Sequence, residues 1–313
     1  MLTLAKKLSI VYNYLNMINI YEQADRNRNK SALVMALFVI FVVGAGWLIS
    51  YLMDWGVEGV IMALVLAIVS TLFSYYAGDK MALGLAGASL VERSQAPQIY
   101  SAVENLSRAA QIPTPKVYLS PDRSLNAFAT GRDPKNASLC LTSGLVENLD
   151  QTELEGVIGH EISHIKNLDT RLFAVVSVLI GAIAILSRFA LQSSPRQRND
   201  QDNQGGSILF ILGIAAAILS PLIGQLIQLA ISRRREFLAD ADSAKLTRQP
   251  EGLIQALKKL GQNQRPSTYA NNATAHFYIV NPFSAQGAIK GLASLFNTHP
   301  PLEKRITELE KMI

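Results

Sequence analysis

The sequence predicts an α+β chain, mainly α, in which four transmembrane helices are joined to a globular part with a small β-sheet. Apolar residues make up 49% of the chain and charged residues 17%, with mean hydropathy +0.20. That is too apolar for an ordinary soluble protein and too charged for a pure membrane bundle. The apolar excess gathers in four long runs, and between and after them the composition is globular, with helical periodicity and short strand-like stretches.

Taken in order, residues 1–30 hold Leu8 to Ile20, interrupted by Asn13, Asn16 and Asn19 and lacking a small-residue cleavage site. This reads as an amphipathic segment on the membrane surface rather than a secretory signal. Residues 31–53 are uncharged and rich in Val, Leu, Ile and Phe, long enough at about 1.5 Å per residue to cross roughly 30 Å of hydrocarbon. A short acidic turn leads into a second uncharged run, 59–78, so these two form a transmembrane hairpin. A second hairpin is expected from 172–191 and 207–232, the latter carrying Pro221, Gln225 and Gln228 and so tilted or kinked. For this pair a buried helix pair in a soluble core is the alternative, because the third run is near the short limit. The globular part is then split into 79–171 and 233–313.

Basic residues mark the flanks. Lys6, Lys7, Arg26, Arg28 and Lys30 precede the first run, Arg233 to Arg235 follow the fourth, and the turn at 54–58 carries only acids. The positive-inside rule places both termini and the globular part in the cytoplasm. The net charge of +5 arises from these flanks and not from an aromatic-studded basic patch, which argues against a nucleic-acid partner. The single cysteine, Cys140, can form no intramolecular disulfide and is a poor metal ligand without sulfur neighbours.

In the globular part, Ile99, Val103, Leu106 and Ala110 describe one helix face. Strand-like runs at 115–120, 126–130 and 137–142 are separated by turn chemistry at Pro121-Asp122 and Gly131 to Pro134. A further helix begins at Asp150, with Glu153 as its capping-box partner.

That helix carries His-Glu-Ile-Ser-His at 160–164. Residues four apart are rotated about 400°, so His160 and His164 share a face and can bind one ion, while Glu161, about 100° around, stands beside the ion as a general base. A purely structural site needs no such acid. The bland alternative is two solvated histidines, which the apolar neighbours Leu154, Val157, Ile158 and Ile165 disfavour. A catalytic zinc takes three protein ligands and keeps a fourth position open. The other histidines are His276, read as a surface residue, and His299, so a carboxylate comes into consideration. Glu236 is the best candidate, with Asp240 one turn on, placed to accept a hydrogen bond from a ligand histidine. A dipole-favoured acid at a helix start is the competing reading.

The His-Glu-Ile-Ser-His motif with Asn167 and Asp169, the Glu-Phe-Leu-Ala-Asp segment at 236–240 and Thr-His-Pro-Pro at 298–301 together resemble the HtpX family of heat-shock membrane zinc proteases. The resemblance covers nearly the whole chain. The CAAX prenyl proteases share several of these elements but have more membrane spans. It implies a zincin-like metalloprotease domain and one zinc per chain held by His160, His164 and Glu236, with Glu161 catalytic. It also implies quality control of misfolded membrane polypeptides at the cytoplasmic face of a bacterial inner membrane.

The resemblance also implies that Asp169 and Arg305 join Asp240 in supporting the site, and it places His299 near the oxyanion or the open metal position, where a helix-capping His-Pro turn is the alternative. Asn126, Ala127, Phe128 and Ala129 read either as an edge strand that pairs with substrate backbone or as an ordinary internal strand, and the resemblance favours the edge. Two other functions compete: a CAAX-prenyl-type protease, and a membrane scaffold that holds zinc and cleaves nothing.

Overall fold

The computed structural model describes residues 25–40, 42–44, 47, 50, 51, 56–174, 233–263, 265–269, 277–280, 282 and 300–313. Apart from Leu172, Phe173 and Ala174, the predicted second hairpin lies outside the described residues, as do residues 1–24, His276 and His299.

Two described helices are long and apolar enough to cross a membrane. The first, α1 (Asp25–Gly44), starts before the predicted apolar run. Its polar first turns are helical because Asn27, Ser31 and Val34, on one face at helical spacing, are buried. Beyond them Leu33, Leu37 and Ile40 stand exposed. Helix α2 (Gly56–Leu85) exposes large apolar residues from Val57 to Tyr76 on several faces, as a lipid-facing helix does. It continues past residue 78, where the sequence suggested a boundary, because Ala82 and Leu83 pack in a buried cluster with Val34, Phe128, Leu172 and Phe173.

Next come β1 (Ser89–Leu90), α3 (Pro97–Ala110), β2 (Lys116–Ser120), β3 (Ala127–Thr130) and β4 (Ser138–Thr142), followed by α4 (Ser143–Asn148) and α5 (Gln151–Lys166). After the undescribed stretch come α6 (Arg233–Thr247), α7 (Pro250–Gln262) and α8 (Leu302–Glu310). Helix α3 opens on Pro97, which has no N–H to leave unsatisfied, and closes on Gln111 in the left-handed region.

The sheet runs β1-β2-β4-β3. Strands β2 and β4 pair in parallel, Lys116 opposite Ser138, while β1 and β3 pair antiparallel at the two margins. The three predicted strands are thus present within a residue of their expected bounds, and the short β1 adds a fourth. A core of Val103, Leu106, Leu139, Leu141, Val157, Ile158, Leu253 and Leu257 joins α3, α5, α7 and the sheet. Each such side chain gives about 1.5–3 kcal/mol by leaving water. Cys140 is buried in β4, and burial pushes its thiol far up, which makes it an inert core residue.

Candidate metal centre

Helix α5 is fixed at its start by reciprocal bonds. Glu153 N–H donates to Asp150 Oδ1 at 2.9 Å and Asp150 N–H to Glu153 Oε2 at 2.9 Å. Lys259 of α7 donates to the same glutamate at 2.6 Å. Two small residues let the neighbouring helices come close: Ser243 Oγ on α6 donates to Gly156 O at 2.6 Å, and a Cβ on Gly156 would lie 2.6 Å from Leu253 N on α7. Packed this tightly against two helices, α5 holds its third and fourth turns in the interior, and His160, Glu161 and His164 are all buried.

The one-face reading of His160 and His164 holds in three dimensions. Their Nε2 atoms are 3.1 Å apart, and Glu236, brought in by α6, lies 3.7 Å from each through its two oxygens. These three side chains form a cluster able to hold a metal ion. Ligand atoms about 2.0–2.1 Å from a tetrahedral zinc lie about 3.3–3.4 Å from one another, and here one ligand atom from each of the three residues lies within 4.8 Å of the other two.

The outward-facing ring nitrogens are also occupied. His160 Nδ1 meets Asp240 Oδ1 at 2.9 Å and His164 Nδ1 meets Asp169 Oδ2 at 2.9 Å. A carboxylate on Nδ1 fixes the tautomer that leaves the Nε2 lone pair facing inward. Arg305 of α8 is fully buried and donates to both oxygens of Asp240, at 2.8 and 2.6 Å, and to Ile279 O at 3.1 Å. Asp240 and Asp169 thus each contact one of the two histidines, and Arg305 contacts Asp240.

Charge points the same way. Among the described residues around the histidines, four buried acids (Glu161, Asp169, Glu236, Asp240) face two buried guanidiniums (Arg235, Arg305), an acid-rich surround of the kind that attracts a cation. His160 is lowered to about 4, chiefly by burial against the opposing Asp240 bond, and so is held neutral. Burial also pulls His164 down, but the Asp169 bond and the Glu236, Asp169 and Glu161 charges together raise it to about 9. Burial, aided by Glu236, raises Glu161 to about 7, against His164, Arg305 and a hydrogen bond from the Ala129 backbone.

Among the described strands, β3 lies at the sheet's margin, and all four of its residues are buried. Segment 277–280 covers one end. Ile279 N–H donates to Ala127 O at 3.2 Å, Asn126 Nδ2 donates to Val280 O at 3.0 Å, and Val280 N–H donates to Asn126 Oδ1 at 3.3 Å. Asn126 and Ala127 are therefore engaged within the chain. Phe128 packs against Phe277 and Tyr278. Ala129, two residues beyond Ala127, has its backbone groups on the same side of the strand as those of Ala127.

Two buried residues of the site went unnoticed in the sequence. Arg235, read as a topology marker, donates from Nη1 to Asp169 Oδ1 at 3.1 Å, whereas Arg233 and Arg234 are exposed. Asn27, on α1, donates to the same oxygen at 2.6 Å. Neither has a local pattern that would reveal it; the only hint is the position of Arg235 beside Glu236.

Residues 93–313 match the sequence profile of Peptidase family M48. The chain is 42% identical over 297 residues to a "Protease HtpX homolog" of Dictyoglomus turgidum, an alignment covering 93% of this chain and 94% of that protein. A "Protease HtpX homolog" of Pyrococcus furiosus is 43% identical over 285 residues, 90% of this chain and 95% of the other. Among solved structures, S. mikatae Ste24p is similar at a TM-score of 0.47 and 19% identity, with 89% of this chain matched and 65% of that chain spanned.

Proposed function

The chain belongs to peptidase family M48, and from that premise we propose that it is an integral membrane zinc-dependent endopeptidase that cleaves misfolded or damaged membrane proteins near the cytoplasmic face. The observation that carries this reading is a carboxylate, Glu161, set on the same helix as two histidines whose Nε2 atoms converge with Glu236.

His160, His164 and Glu236 would hold the zinc, one per chain. The chemistry a bound zinc supplies is Lewis acidity toward the scissile carbonyl and toward the attacking water. Glu161 takes the proton from that water and returns it to the departing amine, and a carboxyl near neutral pKa suits both directions of transfer. Asp240 and Asp169 hold the two imidazoles, and Arg305 holds Asp240. Substrate backbone pairs with the outward face of β3 at Ala129, beside Glu161. The same reading gives His299, which lies outside the described residues, a catalytic role beside the substrate.

In this reading the chain crosses the bilayer four times, through α1, α2 and the two runs at 172–191 and 207–232. Exposed apolar surface on α1 and α2 supports the first pair. Where α2 leaves the apolar zone, Arg132 lies over the Tyr76 ring at 5.1 Å and Arg171 over Tyr75 at 5.8 Å, a cationic-aromatic belt of the kind found at a bilayer interface.

The test is proteolysis by purified protein with zinc present or removed, using an unfolded membrane protein and a prenylated peptide as substrates. Cleavage of the unfolded protein, lost in Glu161→Gln with zinc retained and in Glu236→Ala with zinc lost, is the expected result. Cleavage of the prenylated peptide alone would make the chain a CAAX-type enzyme, and cleavage of neither by zinc-loaded protein would make it a scaffold.

A further inference from the structure

Asn27 belongs to the first membrane helix, yet its side chain lies fully buried beside the metal centre. Its Nδ2 donates to Asp169 Oδ1 at 2.6 Å and to Asn167 O at 2.9 Å, and its Oδ1 accepts from Arg235 Nη1 at 3.1 Å. Only one orientation of the amide satisfies all three bonds. Asp169 thereby has one oxygen clamped between Asn27 and Arg235, while the other receives His164 Nδ1 at 2.9 Å. A carboxylate held at one oxygen cannot swing about its Cβ–Cγ bond, so the bond it offers His164 has a fixed direction.

We propose that Asn27 is a positioning residue through which the first membrane helix, docked on the globular part, orients His164 toward the metal. This rests on the reading of His164 as a ligand. Asn27 does not reach the converging Nε2 atoms; it acts through Asp169. The remaining anchors of α1 fit a docked helix: Ser31 Oγ donates to Asn27 O at 2.8 Å, and Val34 packs with Ala82, Leu83 and Phe173. On the far side of the same turns Leu33 and Leu37 face outward. A helix that meets lipid along its length and the metal centre's support at its end couples the two, so that undocking α1 frees Asp169 and loosens His164.

The experiment uses full-length protein loaded with Co2+, comparing wild type with Asn27→Ala, Asn27→Asp and the exposed control Asn29→Ala. Visible absorption reports ligand geometry, and loss of metal to a chelator reports its grip. Both Asn27 variants are expected to shift the cobalt bands and to lose metal roughly 10-fold faster, the low end for residues supporting a ligand. Asn29→Ala should match wild type. The aspartate variant keeps the shape of the side chain and carries the test if the alanine variant does not fold. Wild-type spectra and loss rates in the Asn27 variants, even with earlier melting, would overturn the proposal and reduce Asn27 to a structural residue. A wild type that takes up no cobalt would instead overturn the metal reading on which the proposal stands.

Discussion

Arg305 grips both oxygens of Asp240, Nε to Oδ2 at 2.8 Å and Nη2 to Oδ1 at 2.6 Å, while Asp240 receives His160 Nδ1 at 2.9 Å. Burial pushes the aspartate's pKa up, and the Arg305 charge and its two bonds outweigh that, holding it below the ordinary value. Arg305→Met would leave a buried carboxylate without its cation, so a loss of about 3–5 kcal/mol is expected, read as an earlier thermal transition. Because the folded-state pKa is depressed, the stability contributed by Asp240 is fully present above its unfolded-state value near 4 and disappears as pH falls through the lower folded-state value. Wild type should therefore lose stability at acid pH, and Arg305→Met should lose less over that range. Equal acid sensitivity in the two would count against the pair.

Glu161 gives activity a pH dependence of the opposite origin. Burial raises its carboxyl to about 7, and the base is the ionised form, so kcat/KM should fall as pH drops through the Glu161 pKa. A bound dication favours the carboxylate, which puts the acid limb of the loaded enzyme at or below about 7. The pH–rate profile checks this. An acid limb well above neutrality, or one that persists in the residual turnover of Glu161→Gln, would assign it to another group.

What could be read in the sequence was set by range. The capping box at Asp150 and Glu153, the shared face of His160 and His164, and the Glu236–Asp240 pair are all contacts within a turn or so of one helix, and periodicity exposes them. The meeting of Glu236 with the histidines across more than seventy positions came from resemblance and from counting possible ligands. The pairing of β2 with β4, which skips over β3, follows from no local signal, and neither does the covering of Asn126 and Ala127 by residues 279 and 280. Asn27 and Arg235 were hidden by their neighbourhoods: among Arg26, Arg28 and Lys30, or in Arg233 to Arg235, a residue reads as a membrane flank. The structure gives both of them a buried acid partner in Asp169.

Gly156 is where α5 meets α7, and a Cβ there would lie 2.6 Å from Leu253 N and 2.8 Å from its Cα. Backbone atoms cannot swing aside, so Gly156→Ala must push the two helices apart, and a loss of about 1–3 kcal/mol is expected. At Gly84 in α2 a Cβ would meet nothing within 4 Å, so Gly84→Ala should be neutral or stabilising by up to about 1 kcal/mol. Thermal unfolding of the two variants checks the contrast. Similar midpoints would mean that α5 and α7 are less closely engaged than these distances imply.

The start of α1 and the end of α2 both touch the globular part, Asn27 through Asp169 and Ala82 and Leu83 through the cluster that contains Phe128 and Phe173. If α1 and α2 cross the bilayer as a hairpin, its open end and the metal centre are on one side. That side carries Arg26, Arg28 and Lys30, while the turn between the helices carries Asp54 and Glu58 and no basic residue, so the positive-inside rule makes it cytoplasmic. Substrates would then be met as cytoplasmic loops and tails close to the membrane surface. Gln151 and Gln262 are both exposed on the globular part and suit single-cysteine labelling in a background where Cys140 is replaced by alanine. An impermeant thiol reagent should label both positions in inverted vesicles and neither in intact cells. Labelling from outside intact cells would reverse the orientation and move the substrate pool to the other face of the membrane.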